Sequence, residues 1–283
     1  MKYLFFSLLV SLQIFSIPNP SVLLRGRDGA GLFSTFTDVA AALQAYEKGS
    51  LRGLEVDFAE SGIYYEPSYG PNWWNYYCEP ISLGDVDDPL SCEIGDIEHL
   101  APKKWKSKHV LHSLIQKYIH FRSEIVDQVE EIVSHSFSNT KVIGVHYRGT
   151  DWLWENDFRR VSYSIFAKRV KQAAKTLRTR NYKVFVATDE THFVEYMKKA
   201  FPGKVIVQEG IYRSVSDKPP HKDDDNDAAK QGEEAIIDCL LLSRCNFLIG
   251  TCSNLSQWAT FFNPNIPFRD LSARPSFDIV FEG

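Results

Sequence analysis

The chain has 283 residues, with 32 Lys and Arg against 36 Asp and Glu, 44% apolar and 24% charged. Those proportions belong to a globular protein of one large or two moderate domains and exclude global disorder or a collagen-like repeat. The net charge of −4 argues against nucleic acid as the main partner, because phosphate binding needs a clustered basic surface. Five cysteines (Cys78, Cys92, Cys239, Cys245, Cys252) form no CxxC pair, so neither a zinc ribbon nor a dithiol redox motif is expected.

The first segment is a short basic start, Met1-Lys2-Tyr3, followed by an apolar run to Phe15 that Pro18 and Pro20 end. It reads as a signal peptide or a short signal anchor over 1–20; the alternative is a buried first strand. Ser21 to Leu24 predicts a strand, and Gly26, Gly29 and Gly31 punctuate the loop after it. Phe33 to Tyr46 predicts a helix, with Phe36, Val39, Ala40 and Leu43 on its apolar stripe. Leu54 to Phe58 alternates like a strand. An aromatic cluster follows, Tyr64-Tyr65 and Tyr69 to Tyr77. It reads either as packing under a long loop or, through Trp73 and Trp74, as a stacking surface for sugar rings. Asp85 to Cys92 is an acidic loop, and Lys108 to His135 is mainly helix.

The α/β pattern then restarts. Lys141 to His146 predicts a strand. Ser162 or Ser164 caps a helix to about Leu177. Lys183–Ala187 is a strand, Thr191–Ala200 a helix and Val205–Val207 a strand. A charged loop covers Pro219 to Asp227, Gly232 to Cys245 is a helix, and Phe247–Gly250 is the final strand. The domain boundary is placed near Ser136 to Thr140, giving residues 21–138 and 139–283.

Three strand ends of the second half carry polar residues: His146-Tyr147-Arg148-Gly149-Thr150-Asp151, Ala187-Thr188-Asp189-Glu190 and Gly250-Thr251-Cys252-Ser253-Asn254. Ligands of parallel α/β sheets bind outside the carboxyl ends of the strands. Arg148 is the leading candidate, because a guanidinium fork matches phosphate oxygens. Ser253, Asn254 and the amides opening the next helix suit the same phosphates. Asp238 stands in an otherwise apolar helix, and a buried lone carboxylate is costly unless paired. A ligand with adjacent N–H donors, such as guanine, would satisfy it; so would an internal partner.

These segments resemble the α1,6-fucosyltransferase and protein O-fucosyltransferase superfamily. His146 to Asp151 is similar to its H-x-R-x-T-D motif, and Val184 to Asp189 to its hydrophobic-A-T-D strand. Gly232 to Ser243 is similar to its G-x-x-A-I-x-D-x-L-L-L-S helix, and Ile249 to Asn254 to its G-T-x-S-S segment. Two departures stand out: Asn254 replaces the family's second serine, and Gly149 stands where a paired-Arg variant has its second Arg. The resemblance implies a GT-B fold, two Rossmann-like domains with a parallel sheet each, facing a cleft. It further implies inverting transfer of fucose from GDP-fucose to a glycan or protein hydroxyl, with no obligatory cofactor and no metal. On that basis Arg148 holds the β-phosphate and stabilises departing GDP, and His146 contacts the nucleotide. Asp238 accepts from guanine, Ser253 and Asn254 hold the diphosphate, and Asp189 lies near the ribose or supports the loop. The general base is assigned to Asp28 in the first Gly-rich loop, with Glu55 and Asp57 as alternatives.

Rival readings are a metal-dependent transferase using Asp223-Asp224-Asp225, read here as a solvated loop; a hydrolase using Cys252 and His146; another nucleotide sugar as donor; and a secreted carbohydrate-binding protein using Trp73 and Trp74, while His221 reads either as a residue reaching the diphosphate or as a surface histidine. No G-x-S-x-G elbow or G-x-x-x-x-G-K-[ST] loop is present. A genuine leader on a nucleotide-sugar enzyme implies the ER or Golgi lumen, with membrane anchoring through residues 1–20 as a variant. Without a leader, a cytoplasmic enzyme is expected. Asn254-Leu255-Ser256 is a glycosylation sequon, expected to be unmodified because it lies in the donor site.

Overall fold

The computed structural model describes residues 19–59, 62–149, 161–211, 213–214, 227–251, 253–272 and 280–281. The chain divides into two compact units, cut at Arg122/Ser123, with Asp227–Gly232 and the terminal strand belonging to the first. The leader lies outside the described residues.

The first unit begins with β1 (Ser21–Leu24), α1 (Leu32–Glu47) and β2 (Gly53–Val56). α1 is buried almost throughout; Phe36, Val39 and Ala40–Leu43 have no exposed surface, so the helix is apolar on nearly every side. A short helix α2 (Trp74–Tyr77), then β3 (Ser82–Gly84), β4 (Leu90–Cys92), β5 (Lys104–Trp105) and α3 (Lys108–Tyr118) follow. The sheet order is β3-β2-β1-β4. β1 pairs in parallel with β2 and β4, whereas β3 runs antiparallel on the edge, so this sheet is not parallel throughout as expected. The acidic stretch 85–92 also contains β4, which its Asp and Pro content disguises.

The second unit opens with α4 (Ser123–Ile132). α4 joins this unit through Arg244 to Glu130 and Gln128 to Glu233. Then come β6 (Lys141–Tyr147), α5 (Tyr163–Thr176), β7 (Tyr182–Thr188), α6 (Thr191–Ala200), β8 (Val205–Ile206), α7 (Ala228–Ser243, of which the part from Glu233 belongs to this unit), β9 (Phe247–Gly250), α8 (Asn254–Phe262) and β10 (Phe268–Asp270). The sheet is wholly parallel in the order β10-β9-β6-β7-β8. β6 sits at its centre and is buried from Val142 to Tyr147, which explains its unbroken apolar run. Phe166, Val170, Phe193 and Met197 from α5 and α6 cover one face. β9 is not the last strand: β10 extends this sheet, and β11 (Val280–Phe281) pairs with β5 of the first unit.

Candidate active site

The strand order of the second unit sets β9, β6 and β7 side by side, and their register sets their ends level. His146 lies opposite both Ala187 and Gly250, and Tyr147 opposite Thr188. The three polar turns found in the sequence therefore leave the sheet at neighbouring points on one edge, where parallel α/β folds bind ligands.

Each turn is braced from within the unit. His146 is buried, and its Nδ1 lies 2.6 Å from Ser256 Oγ on α8. Burial, with the Arg148 guanidinium close by, lowers its pKa to about 3, so the imidazole is neutral at physiological pH. Gly250 makes this tie possible, since a Cβ there would lie 2.7 Å from Ser256 Oγ. Beyond β6, the Gly149 amide donates to Asp189 Oδ1 at 3.0 Å. A Cβ on Gly149 would meet Glu190 Oε1 at 2.1 Å and Tyr147 Cε1 at 2.6 Å. The buried Glu190 carboxylate thus occupies the room a side chain would need, and it accepts a hydrogen bond from Tyr163. Its own amide donates to Thr188 Oγ1 at 3.2 Å. The half-buried Arg148 leaves β6 on a loop braced at its next residue by Asp189 and Glu190.

On the third turn Ser253 is the N-cap of α8, its Oγ accepting from the Leu255 amide at 3.3 Å. Asn254 is the first residue of that helix. The helix N-terminus carries partial positive charge and unsatisfied N–H groups. Thr251 Oγ1 beside it is buried and has no hydrogen-bond partner among the described residues.

Asp238 is buried in α7, and Gln208 Nε2 donates to its Oδ1 at 3.1 Å. The Gln208 amide also donates to the Glu234 carbonyl, and Arg213 donates to the Gln208 carbonyl at 2.9 Å. Burial raises the Asp238 pKa to about 7 against the opposing Gln208 hydrogen bond and Arg213 charge. Gln208 follows β8, and Cys239 Sγ lies 3.5 Å from the Leu255 carbonyl on α8. Asp238 is thus held on the carboxyl side of the sheet, with one oxygen engaged by an amide.

In the first unit Asp28 is exposed on the loop after β1. Its neighbour Arg27 pairs at 2.6 Å with Asp38, a buried carboxylate on α1 that also takes Lys103 at 2.7 Å. Asp57, after β2, is paired with Arg25 at 2.6 Å, and Glu55 is half-buried on β2.

The family model described as Nodulation protein Z (NodZ) matches residues 100–280. The chain belongs to this family. Among solved structures it is similar to the fucosyltransferase NodZ from Bradyrhizobium, at 18% identity and TM-score 0.60, over 92% of this chain and 98% of that one. It is similar to a NodZ α-1,6-fucosyltransferase co-crystallised with GDP, at 16% identity and TM-score 0.58, over 86% and 92%. It is also similar to POFUT1 in complex with GDP-fucose, at 12% identity and TM-score 0.57, over 90% and 98%. No curated protein matches it in sequence. At these identities the structural likeness concerns the fold, and it agrees with the two α/β units of GT-B type implied by the motifs.

The second unit therefore brings together Arg148, Asp189, Ser253 and Asn254 at adjacent strand ends, with His146 directly behind them and Asp238 on the same side. Asp28 belongs to the other unit. Glu190, Gln208 and Ser256 carry the bracing and were not singled out in the sequence. Glu190 had a signal, as the residue completing the Ala-Thr-Asp-Glu strand end; Gln208 and Ser256 had none beyond lying after a strand and inside a helix. Trp73 and Trp74 are 1% and 0% exposed, which corrects their reading as a stacking surface. They pack against Phe58 and Phe36 and fill the core of the first unit. Asp151, His221, Asp223–Asp225 and Cys252 lie outside the described residues. Among the described residues no three His, Cys, Asp or Glu side chains group as a metal site, and no helix is long and apolar enough to cross a membrane.

Proposed function

We propose that the chain is a fucosyltransferase that takes its sugar from GDP-fucose and delivers it, with inversion and without a metal, to a hydroxyl of a glycan or protein. The observation that carries this reading is the level exit of three adjacent strands, which gathers a guanidinium, a capped helix N-terminus and a buried orphan hydroxyl at one edge. Those are anion-binding groups, and a nucleoside diphosphate is the anion that suits a Rossmann-like sheet edge. GDP and GDP-fucose in the complexes of similar structures support the same donor.

In this mechanism Asp238, steadied by Gln208, accepts from the guanine N1–H and N2–H through its remaining oxygen. Ser253, Asn254 and the first amides of α8 hold the diphosphate. The acceptor oxygen attacks the anomeric carbon as the bond to the β-phosphate oxygen breaks, and GDP leaves on the opposite face. Arg148 stabilises the charge that develops on that phosphate, a contribution of about 3 kcal/mol for one well-placed donor. The acceptor proton goes to a carboxylate, for which Asp28 is the assignment; Asp57 is less suited because Arg25 already holds it. His146 is ill suited as that base, because its ring is buried, weakly basic and tied to Ser256.

Calorimetric titration with GDP, UDP and GDP-fucose, followed by turnover of Arg148→Ala, tests the proposal. Binding of GDP over UDP and a 10²- to 10³-fold fall in kcat are expected, at unchanged thermal stability. Equal affinity for the two nucleotides, or near-normal turnover by the variant, overturns it.

A further inference from the structure

The first unit contains a groove of about 500 Å³ between the end of α1, β5 and α3. It lies away from the carboxyl end of β1. α1 leaves the carboxyl end of β1 at Leu32 and returns toward the start of β2, so Gln44, on the groove wall, lies about 18 Å along the helix from that end.

The lining has two parts. Val110 and Leu114 supply apolar surface, and Val110 remains 46% exposed although it is a large aliphatic residue. Lys48, Lys104, Lys106 and Lys117 supply ammonium groups, against the single carboxylate of Glu47. Lys117 neutralises Glu47 at 2.6 Å. Lys48, Lys104 and Lys106 pair with no carboxylate among the described residues, on a chain whose overall charge is −4. Trp105, between Lys104 and Lys106, is 1% exposed and packs as a buried side chain. The wall beside it is fixed, because Gln44 Nε2 donates to the Lys104 carbonyl at 2.9 Å.

We infer that this groove is a second binding site, for an anionic amphiphile: a phosphate-type head held by the lysine rim and a hydrocarbon body laid on Val110 and Leu114. Charge complementarity selects the head, and the exposed apolar lining selects the body. A volume of this size accommodates a small ligand rather than a folded partner. The site does not depend on the proposed transferase reaction.

The test is calorimetric titration of the full chain with hexyl phosphate, inorganic phosphate and hexanol. Hexyl phosphate is expected to saturate at one per chain and to bind at least tenfold tighter than either fragment. The exposed pair Lys104→Glu/Lys106→Glu should weaken it at least tenfold, with melting temperature and GDP affinity unchanged. The control pair Lys168→Glu/Lys171→Glu, on α5 of the other unit, should bind as wild type. Absence of saturable binding, equal binding by the Lys104/Lys106 variant, or inorganic phosphate binding as tightly as hexyl phosphate overturns the inference. Loss of GDP binding alone would count against the transferase reading and leave this one standing. Sedimentation with phosphatidylglycerol vesicles separates the sources of such a head. Pelleting that the Lys104/Lys106 variant loses supports a lipid surface, and hexyl phosphate binding without pelleting supports a free phosphorylated molecule.

Discussion

Asp238→Asn isolates the most perturbed carboxylate in the second unit. The substitution keeps the shape and leaves an oxygen to accept from Gln208, but removes the charge. In the folded protein the Asp238 pKa is raised from 3.8 to about 7 by burial. An acid whose pKa rises on folding binds its proton more tightly when folded. It therefore favours the native state fully below pH 3.8, and that advantage is lost as pH rises through about 7. The interval from 3.8 to about 7, at 1.36 kcal/mol per pH unit, corresponds to about 4 kcal/mol. Denaturant unfolding of both proteins from pH 4 to 8 measures it. The variant should gain on wild type as pH rises and hold a constant lead above pH 7. The His146 contribution has the opposite sign, strengthening the fold as pH rises from 3 toward 6.5, but it is common to both proteins and cancels in the difference. GDP affinity supplies the second readout. If guanine needs the ionised carboxylate, wild-type affinity should fall about tenfold per pH unit below 7, and the variant should bind GDP weakly at every pH. A stability difference that does not change with pH refutes the assigned burial cost. A GDP affinity in the variant equal to that of wild type at pH 8 refutes the guanine role.

Gly149→Ala should lower turnover severely, because its Cβ would displace either the Glu190 carboxylate or the loop carrying Arg148; steady-state kinetics with a melting curve check that the fold survives. Adding Glu190→Ala to that variant should recover part of the loss, since it removes the clashing carboxylate. Ser256→Ala leaves the buried His146 Nδ1 without its partner and should cost about 1–3 kcal/mol in chemical denaturation. Trp73→Ala should cost about 3–5 kcal/mol of stability as a core truncation, and a variant of native stability would contradict its burial.

Much of the second unit was legible because β6, β7 and β9 are largely buried and α5 and α6 bury one face each. Thr191–Ala200 and Phe247–Gly250 are found at the residues their periodicity predicted. The misses share a cause. β4 and β10 are three residues each, and β3 and β4 carry polar or turn-forming residues, so their strand character comes from pairing with β2, β1 and β9 rather than from local preference. The mainly helical stretch over Lys108 to His135 is two helices, α3 and α4, separated at Ile119–Arg122, where Cys78 bridges to Phe121 and the Glu79 amide donates to the His120 carbonyl. Those are contacts between segments far apart in sequence, and no local pattern reports them.

The same distinction decides how the motifs are understood. Spacing located the three polar strand ends, but it did not separate residues that face a ligand from residues that hold those in place. His146 looks like a ligand contact because it precedes Arg148 at a strand end; burial, a neutral ring and the bond to Ser256 make its side chain a strut between β6 and α8. Gly149 looks like a lost arginine, yet Glu190 occupies the volume its side chain would fill. The glycine and the glutamate are therefore one feature, and a second arginine at 149 would require a smaller residue at 190. Among the described residues of this loop Arg148 is then the one cation, which is why its replacement, and not that of its neighbour, is the test of the proposed chemistry.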